Sequence, residues 1–311
     1  MRVLLTGITG VLGEALAVRL ARDPQIERIV GVARRPLQAN LLVDSELRTK
    51  IDHLACDFRD PAVTTALASV DTLIHAAFQP YGRNVPALRA VNVDGSKSLH
   101  RAALAAGVRH IVFISSVAAY GSHPDNPVPF TEAAPLRPNP DSFYSVHKAE
   151  VEWDLVRLEK ETTDLQVLRI RPTVLLGPRA DAGAEAIRRY YDRILPRFKS
   201  DYWLWQFMRT DDATEAIARA TTQRLTGALN IAGEDWLTFE QMAAVTGGRI
   251  VTLPDSFAKL MPLLQALRLS PVGKDRQVLS RNPMVMSTAL LRKTTGLVPV
   301  SSTQALSEFL H

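Results

Sequence analysis

Residues 3–13 run Val-Leu-Leu-Thr-Gly-Ile-Thr-Gly-Val-Leu-Gly, a short apolar stretch followed by glycines at 7, 10 and 13. From Leu12 onward, Leu16 and Leu20 recur at four-residue spacing, the mark of a helix with one buried face. A strand that passes so quickly into a helix needs glycine at defined points. Gly7 permits the tight turn, Gly10 lets backbone N–H groups approach a diphosphate, and Gly13 lets the helix pack closely on the strand. Thr9, Val11 and Leu12 carry the intervening backbone, and the anion meets the positive end of the helix. The segment Thr6–Gly13 therefore predicts a cradle for a dinucleotide.

The same alternation continues for about 170 residues. Val3–Thr6, Ile29–Ala33, His53–Cys56, Thr72–His75, Ile111–Ser115 and Val167–Arg171 are short and apolar with polar or glycine boundaries, as buried strands are. Helical stretches lie between them: Asp60-Pro61 supplies an N-cap and a first-turn proline, and Leu99, Ala103 and Ala106 lead to a stop at Gly107. This pattern predicts an α/β chain with a Rossmann-like, doubly wound parallel sheet and a smaller C-terminal α/β substrate-binding part. The expected division is a dinucleotide-binding domain over 1–172, with 205–232 returning to it, and a substrate part over 173–204 and 233–311. Beyond Pro172, Ala182–Leu195 and Asp211–Thr222 read as helices and Leu229–Ala232 as a strand rejoining the sheet. Thr238–Gln241 reads as a capping box, and Ser270–Arg281 as an exposed loop. Phe257–Leu269, with Lys259, Gln265 and Arg268 as its polar positions, reads as a lid, a subunit contact or a packed helix.

The end of the second strand bears on the choice of dinucleotide. A carboxylate there would bond the ribose hydroxyls of NAD, whereas this chain reads Val32-Ala33-Arg34-Arg35. Guanidinium groups suit a 2′-phosphate, so NADP is expected in preference to NAD. By position, Asp57-Phe58 after the third strand and Ala76-Ala77 after the fourth belong to the same pocket.

Ser116 falls just beyond the fifth strand, at the edge where such sheets bind ligands. Farther on, Phe143-Tyr144-Ser145-Val146-His147-Lys148 puts Tyr144 and Lys148 one helical turn apart. Their face continues as Val151, Leu155 and Leu158, so both point inward, while His147 is expected on another face with a surface role. A buried lysine needs an anionic partner, and a tyrosinate and a cofactor ribose supply one. An ammonium and a positively charged nicotinamide both favour the phenolate, so Tyr144 is expected to exchange a proton with the substrate while Ser116 hydrogen-bonds the same oxygen. His75 reads as a packed strand residue, and Cys56 as buried and inert.

Taken together, the Thr6–Gly13 loop, Asp57, Asn92-Val93-Asp94-Gly95, Ser115–Gly121, Tyr144–Lys148 and Arg171-Pro172 resemble the extended short-chain dehydrogenase/reductase family. Its NAD-dependent epimerase/dehydratase branch fits best, from residue 1 to about residue 235, with a fainter likeness from Asn282-Pro283 to Pro299. The resemblance implies Ser116, Tyr144 and Lys148 as the catalytic set, Asn92 as support for the active-site helix and cofactor, and Pro172 to Val174 lining the nicotinamide side. It also implies a homodimer through the helical stretches Leu88–Ala105 and Tyr144–Lys160.

Departures from that family bear on the substrate. Its sugar-nucleotide epimerases carry an Arg-Asp-aromatic stretch before His-Val-Asp-Asp, but the corresponding run here is Trp203-Leu204-Trp205-Gln206-Phe207-Met208-Arg209-Thr210-Asp211-Asp212. Trp205-Gln206 replaces the arginine that grips a diphosphate, and Arg209 replaces the histidine, although Arg209 retains the charge to bind an anion. Dehydratase relatives carry Thr-Asp-Glu where this chain has Ser116-Val117-Ala118, which argues against sugar dehydration. Trp203, Trp205 and Phe207 either line an apolar substrate pocket or belong to the core.

Charge and composition narrow the remaining classes. With 37 basic and 32 acidic residues the net charge is +5, yet the basic residues are scattered as pairs and singles, unlike a nucleic-acid-binding stripe. One cysteine excludes a disulfide framework and makes a reducing cytoplasm the default compartment. No apolar run approaches the roughly 18 residues of a membrane span, the N-terminal run is too short for a signal peptide, and no metal-ligand spacing is present. The leading expectation is an NAD(P)-dependent oxidoreductase acting on a carbonyl or alcohol carbon of a small molecule. A sugar or sugar-nucleotide epimerase that retains its cofactor comes second, and a non-catalytic dinucleotide sensor third.

Overall fold

A computed structural model describes residues 1–37, 45–178, 184–185, 187–188, 193–199, 202–260, 278–279 and 281–311. Its strands are β1 (Arg2–Thr6), β2 (Arg28–Val32), β3 (Ile51–Leu54), β4 (Thr72–His75), β5 (His110–Ile114), β6 (Gln166–Pro172), β7 (Val174–Leu176), β8 (Ile194–Phe198), β9 (Phe207–Arg209), β10 (Gly227–Ile231) and β11 (Arg249–Leu253). The helices are α1 (Val11–Ala21), α2 (Ser45–Lys50), α3 (Pro61–Leu67), α4 (Val85–Arg89), α5 (Ser96–Ala105), α6 (Phe143–Glu161), α7 (Thr210–Thr222), α8 (Phe239–Thr246), α9 (Ala289–Thr295) and α10 (Ser302–Leu310). The chain divides into two compact units. One comprises Met1–Ser115, Glu150–Arg171 and Thr214–Leu229, and the other Ser116–Ala149, Pro172–Ala213 and Asn230–His311.

A seven-stranded sheet in the order β10-β6-β5-β4-β1-β2-β3 dominates the first unit. Adjacent strands from β6 through β3 run parallel, which gives the Rossmann-like arrangement expected. Val3, Leu4, Leu5, Ile111, Val112 and Phe113 are fully buried, because strands covered on both faces must be apolar throughout. The order reverses between β1 and β4, the switch point beside which such sheets bind ligands. Asp60 caps α3 by accepting from the Ala62 N–H, with Pro61 in the first turn. Strand β3 ends at Leu54, two residues before the expected end, because the Cys56 N–H turns back to the Leu54 carbonyl at 2.9 Å. Cys56 is therefore half-buried rather than buried. Burial pushes its thiol pKa upward, with the nearby Asp60 and Asp57 carboxylates adding to the effect.

The second unit holds two small parallel pairs, β7 with β9 and β8 with β11. Ile194 and Leu195 belong to β8 and not to a helix; the pairing partner lies more than fifty residues away, beyond the reach of local periodicity. The rest of the expected Ala182–Leu195 helix falls mostly outside the described residues, as do Phe257–Leu269 from 261 onward and most of Ser270–Arg281. Thr238 and Gln241 form the expected capping box, and α8 ends at Gly247 in the left-handed conformation. One core cluster in this unit gathers Leu176, Phe207, Leu237, Phe239, Met242, Leu306 and Phe309. Among the described residues, no helix is long and apolar enough to cross a membrane.

Candidate functional site

In the first unit, the turn after β1 closes on itself through backbone bonds. The Gly7 N–H donates to the Val32 carbonyl at 2.8 Å, Gly10 to Gly7 at 2.8 Å, and Glu14 to Gly10 at 2.9 Å. Gly7 has φ +76°, and a Cβ there would lie 2.8 Å from the Ala77 nitrogen; a Cβ on Gly13 would lie 2.1 Å from the Gly7 oxygen. Helix α1 opens without a side-chain cap, so the N–H groups of Val11, Leu12 and Gly13 have no intrahelical acceptor. Donors of this kind at a helix N-terminus form an anion site. A Cβ on Gly10 would touch only the Gly7 oxygen, at 3.1 Å, so the absence of a side chain leaves the face of the turn open. The residues present fit a dinucleotide diphosphate.

Behind the turn lies a buried polar chain. Thr6 Oγ1 and His75 Nδ1 are 2.7 Å apart, and Thr6 Oγ1 also accepts from the Ala77 N–H at 3.2 Å. His75 Nε2 is 2.8 Å from Ser96 Oγ, which donates to the Asn92 carbonyl at 2.6 Å. Asn92 is buried in a π-helical turn, Ala90–Gly95, and its amide group bonds both backbone groups of Gln79, at 2.8 and 2.9 Å. Phe58 packs edge-on against His75 with ring centres 5.1 Å apart. Past β2, Ala33 is buried while Arg34 and Arg35 stand exposed, with Arg35 Nη2 3.4 Å from the Thr9 carbonyl. The Asp57 carboxylate is gripped by Arg59 at 2.7 and 3.1 Å, which holds its pKa below the usual range; the Arg34 charge contributes in the same direction.

In the second unit, Ser116 is extended and caps a 3-10 turn, Val117–Tyr120. Its Oγ accepts from the Ala118 N–H at 3.2 Å, which leaves the hydroxyl proton free to be donated elsewhere. Tyr144 packs against the apolar cluster of Val117, Ala118, Tyr120, Phe130 and Met286. Lys148 is 3% exposed, and its Nζ lies 5.8 Å from the centre of the Tyr144 ring. The inward face expected for these two residues is therefore the observed one. His147, expected at the surface, is instead 2% exposed, with its ring 5.5 Å from that of Phe143. The reason is that this end of α6 is enclosed on more than one side, since Ser145, Lys148 and Ala149 are buried as well.

Several residues that fix this geometry were not singled out by sequence reasoning. Ser145 Oγ donates to the Ala118 carbonyl at 2.6 Å and accepts from the Asn139 N–H at 3.1 Å. The Asn139 side chain in turn bonds both backbone groups of Ser122, at 2.7 and 3.1 Å. Tyr120 donates to Asn230 Oδ1 at 2.8 Å. A buried serine beside the tyrosine was the only local signal for any of these contacts.

The remaining candidates are occupied by structural partners. Trp205 meets Phe239 edge-on at 4.5 Å and pairs through its backbone with Leu237, while Phe207 is fully buried in the same cluster. Trp203 packs against that cluster and also against the one that holds Tyr144. Gln206 is a buried clamp: its amide donates to the Gly233 and Met286 carbonyls, both at 2.9 Å, and accepts from the Met286 N–H at 2.7 Å. Arg209 is held by Asp212 at 2.8 Å and by Glu308 at 3.2 Å, and these carboxylates raise its already high pKa. Thr173, between Pro172 and Val174, bonds the Ile231 and Gln206 backbones, and Val174 is exposed. Among the described residues, no three His, Cys, Asp or Glu side chains gather as a metal would need.

An uncharacterized protein of Mycobacterium tuberculosis is 27% identical over 306 residues, which cover 96% of this chain and 80% of that protein. The crystal structure of gox2253 superposes with a TM-score of 0.76 at 23% identity, covering 99% of this chain and 96% of that one. MoeE5 in complex with UDP-glucose and NAD superposes with a TM-score of 0.73 at 19% identity, covering 100% and 97%. The family model for the NAD dependent epimerase/dehydratase family matches residues 3–232, and the chain belongs to that family.

Proposed function

We propose that this protein is an NAD(P)-dependent oxidoreductase that moves hydride to or from a carbonyl or alcohol carbon, with Ser116, Tyr144 and Lys148 as its catalytic residues. The observation that carries the reading is the buried Lys148 ammonium 5.8 Å from the centre of the Tyr144 ring. Such a charge is costly to bury without a role, and it favours the phenolate over the phenol. Tyr144 exchanges a proton with the reacting oxygen, and Ser116 donates a hydrogen bond to that same oxygen. The α1 N-terminus and the Gly7–Gly13 turn bind the diphosphate, and a nicotinamide supplies or accepts the hydride when bound. Tyr144→Phe should lower turnover by at least about a hundredfold while leaving NADP+ affinity within about twofold. Turnover that survives the substitution removes the phenol from the mechanism.

Arg34 and Arg35 support NADP as the preferred cofactor, because a bidentate guanidinium complements a 2′-phosphate. Arg34→Asp should shift the NADP+/NAD+ affinity ratio toward NAD+ by at least about tenfold, and an unchanged ratio would set this preference aside. A second reading, an epimerase that oxidises and re-reduces one carbon, draws on the family and on a structural relative solved with UDP-glucose and NAD. Net NADPH consumption separates the two, since an epimerase recycles its cofactor. A homodimer through Leu88–Ala105 and Tyr144–Lys160 is part of the proposal, with Trp153 half-exposed on α6; sedimentation equilibrium tests it.

A further inference from the structure

Segment Ser115–Ala118 is tied to helix α6 at both of its ends. The Ala118 carbonyl accepts from Ser145 Oγ at 2.6 Å, and Ser115 Oγ donates to Glu152 Oε1 at 2.5 Å. Arg171 holds the Glu152 carboxylate from the other side, with Nε at 3.0 and 3.1 Å from its two oxygens and Nη2 at 2.6 Å from Oε2. Ser115, Ser145, Glu152 and Arg171 are all at least nine-tenths buried.

The order of the ties along both segments is informative. On the helix, Lys148 falls between Ser145 and Glu152, and Tyr144 immediately precedes Ser145. On the other segment, Ser116 falls between Ser115 and Ala118. Each proposed catalytic residue is thus flanked by, or next to, a fastening. A buried ion pair such as Glu152–Arg171 gives little net stability compared with apolar packing of the same volume, so stability alone does not account for it. A positional role does, because a displacement of about 1 Å in a catalytic group can cost roughly a hundredfold in rate.

We infer that Ser145 and Glu152, the latter supported by Arg171 and acting through Ser115, are positioning residues that hold Ser116 in register with the Tyr144–Lys148 pair. Neither residue touches the reacting atoms. The inference rests on the function proposed above for that pair, and it assigns the two fastenings a separate, removable contribution.

The test uses the full chain labelled with [13Cζ]tyrosine, with Tyr144 identified by the signal lost in Tyr144→Phe. In the wild type, Tyr144 should titrate below the ordinary tyrosine value of about 10. In Ser145→Ala and in Ser115→Ala, its midpoint should rise by at least about half a pH unit as the Ser116 hydroxyl, a hydrogen-bond donor that favours the phenolate, leaves its register with the pair. NADP+ affinity should stay within about twofold, and the melting temperature of Ser145→Ala should fall by only a few degrees. A midpoint that stays put in the folded variants, whatever their stability, overturns the inference. Each of these variants removes a single hydroxyl and no charge, and either decides the matter if the other does not fold. A wild-type Tyr144 that titrates like the other tyrosines overturns the underlying functional reading instead, and that result is visible before any positioning variant is made.

Discussion

Thr6 Oγ1 and His75 Nδ1 stand 2.7 Å apart at the carboxyl ends of two neighbouring strands, β1 and β4, where the strand order of the sheet reverses. The same oxygen accepts from the Ala77 N–H, so one hydroxyl joins the first residue of the glycine turn region to the loop facing it. Thr6→Val leaves the Ala77 N–H and a ring nitrogen buried without that partner, and it should destabilise the protein by about 1–3 kcal/mol. Urea unfolding measures this. A double-mutant cycle with His75→Leu should show coupling of at least about 0.5 kcal/mol, and strict additivity would mean the contact contributes nothing.

The glycine turn separates two effects of the same substitution. Gly13→Ala pushes a methyl to within 2.1 Å of the Gly7 oxygen and should disturb both folding and NADP+ binding. Gly10→Ala meets only one atom, at 3.1 Å, so the fold should survive. Its methyl nevertheless occupies the face at which backbone donors meet the diphosphate, and NADP+ affinity should fall by at least about tenfold. Gly10→Ala with wild-type affinity by fluorescence titration would place the diphosphate elsewhere.

His100 is fully buried, and among the described residues neither of its ring nitrogens has a hydrogen-bond partner. Burial lowers its pKa from 6.5 to about 4, with the Asp154 charge opposing the shift and Arg101 adding to it. In the unfolded chain the imidazole takes up a proton below about 6.5, while the folded protein keeps it neutral down to about 4. Its contribution to stability is therefore constant above pH 6.5 and lost as pH falls toward 4, on the order of 3 kcal/mol in all. His100→Phe should flatten the stability–pH curve in that window relative to the wild type; parallel curves would show that burial does not control this imidazole.

Gln206 satisfies three backbone groups that otherwise lie buried: two carbonyls and one N–H. Gln206→Leu has similar volume but no polar atoms, and it should cost roughly 3 kcal/mol, while Gln206→Glu keeps the acceptor but sets a buried carboxylate oxygen against two carbonyl oxygens and should cost at least as much. Thermal unfolding followed by circular dichroism tests the order of the three proteins.

What could be read before folding was whatever repeats at short range. Apolar runs of four or five residues gave the parallel strands, four-residue leucine spacing gave α1, and Thr238 with Gln241 gave the capping box. The inward direction of Tyr144 and Lys148 followed from the stripe that continues to Val151 and Leu155, since a helix repeats its faces every 3.6 residues. His147 escaped the same reasoning. Its face of the helix is covered by chain that no local pattern reveals, just as β8 is a strand only because Arg249–Leu253 lies beside it.

The sequence by itself determined the sheet, the glycine turn and the identity of the groups able to do chemistry, because backbone conformation and side-chain periodicity are local properties. Tertiary structure alone decided which of those groups are partnered. Arg209 is bound by Glu308, Trp205 lies on Phe239, and Glu152 joins Ser115 to Arg171, across separations of 99, 34, 37 and 19 residues. Hydrogen bonds and ion pairs act over about 3 Å of space whatever the distance along the chain, so only the folded path of the backbone could bring those partners together.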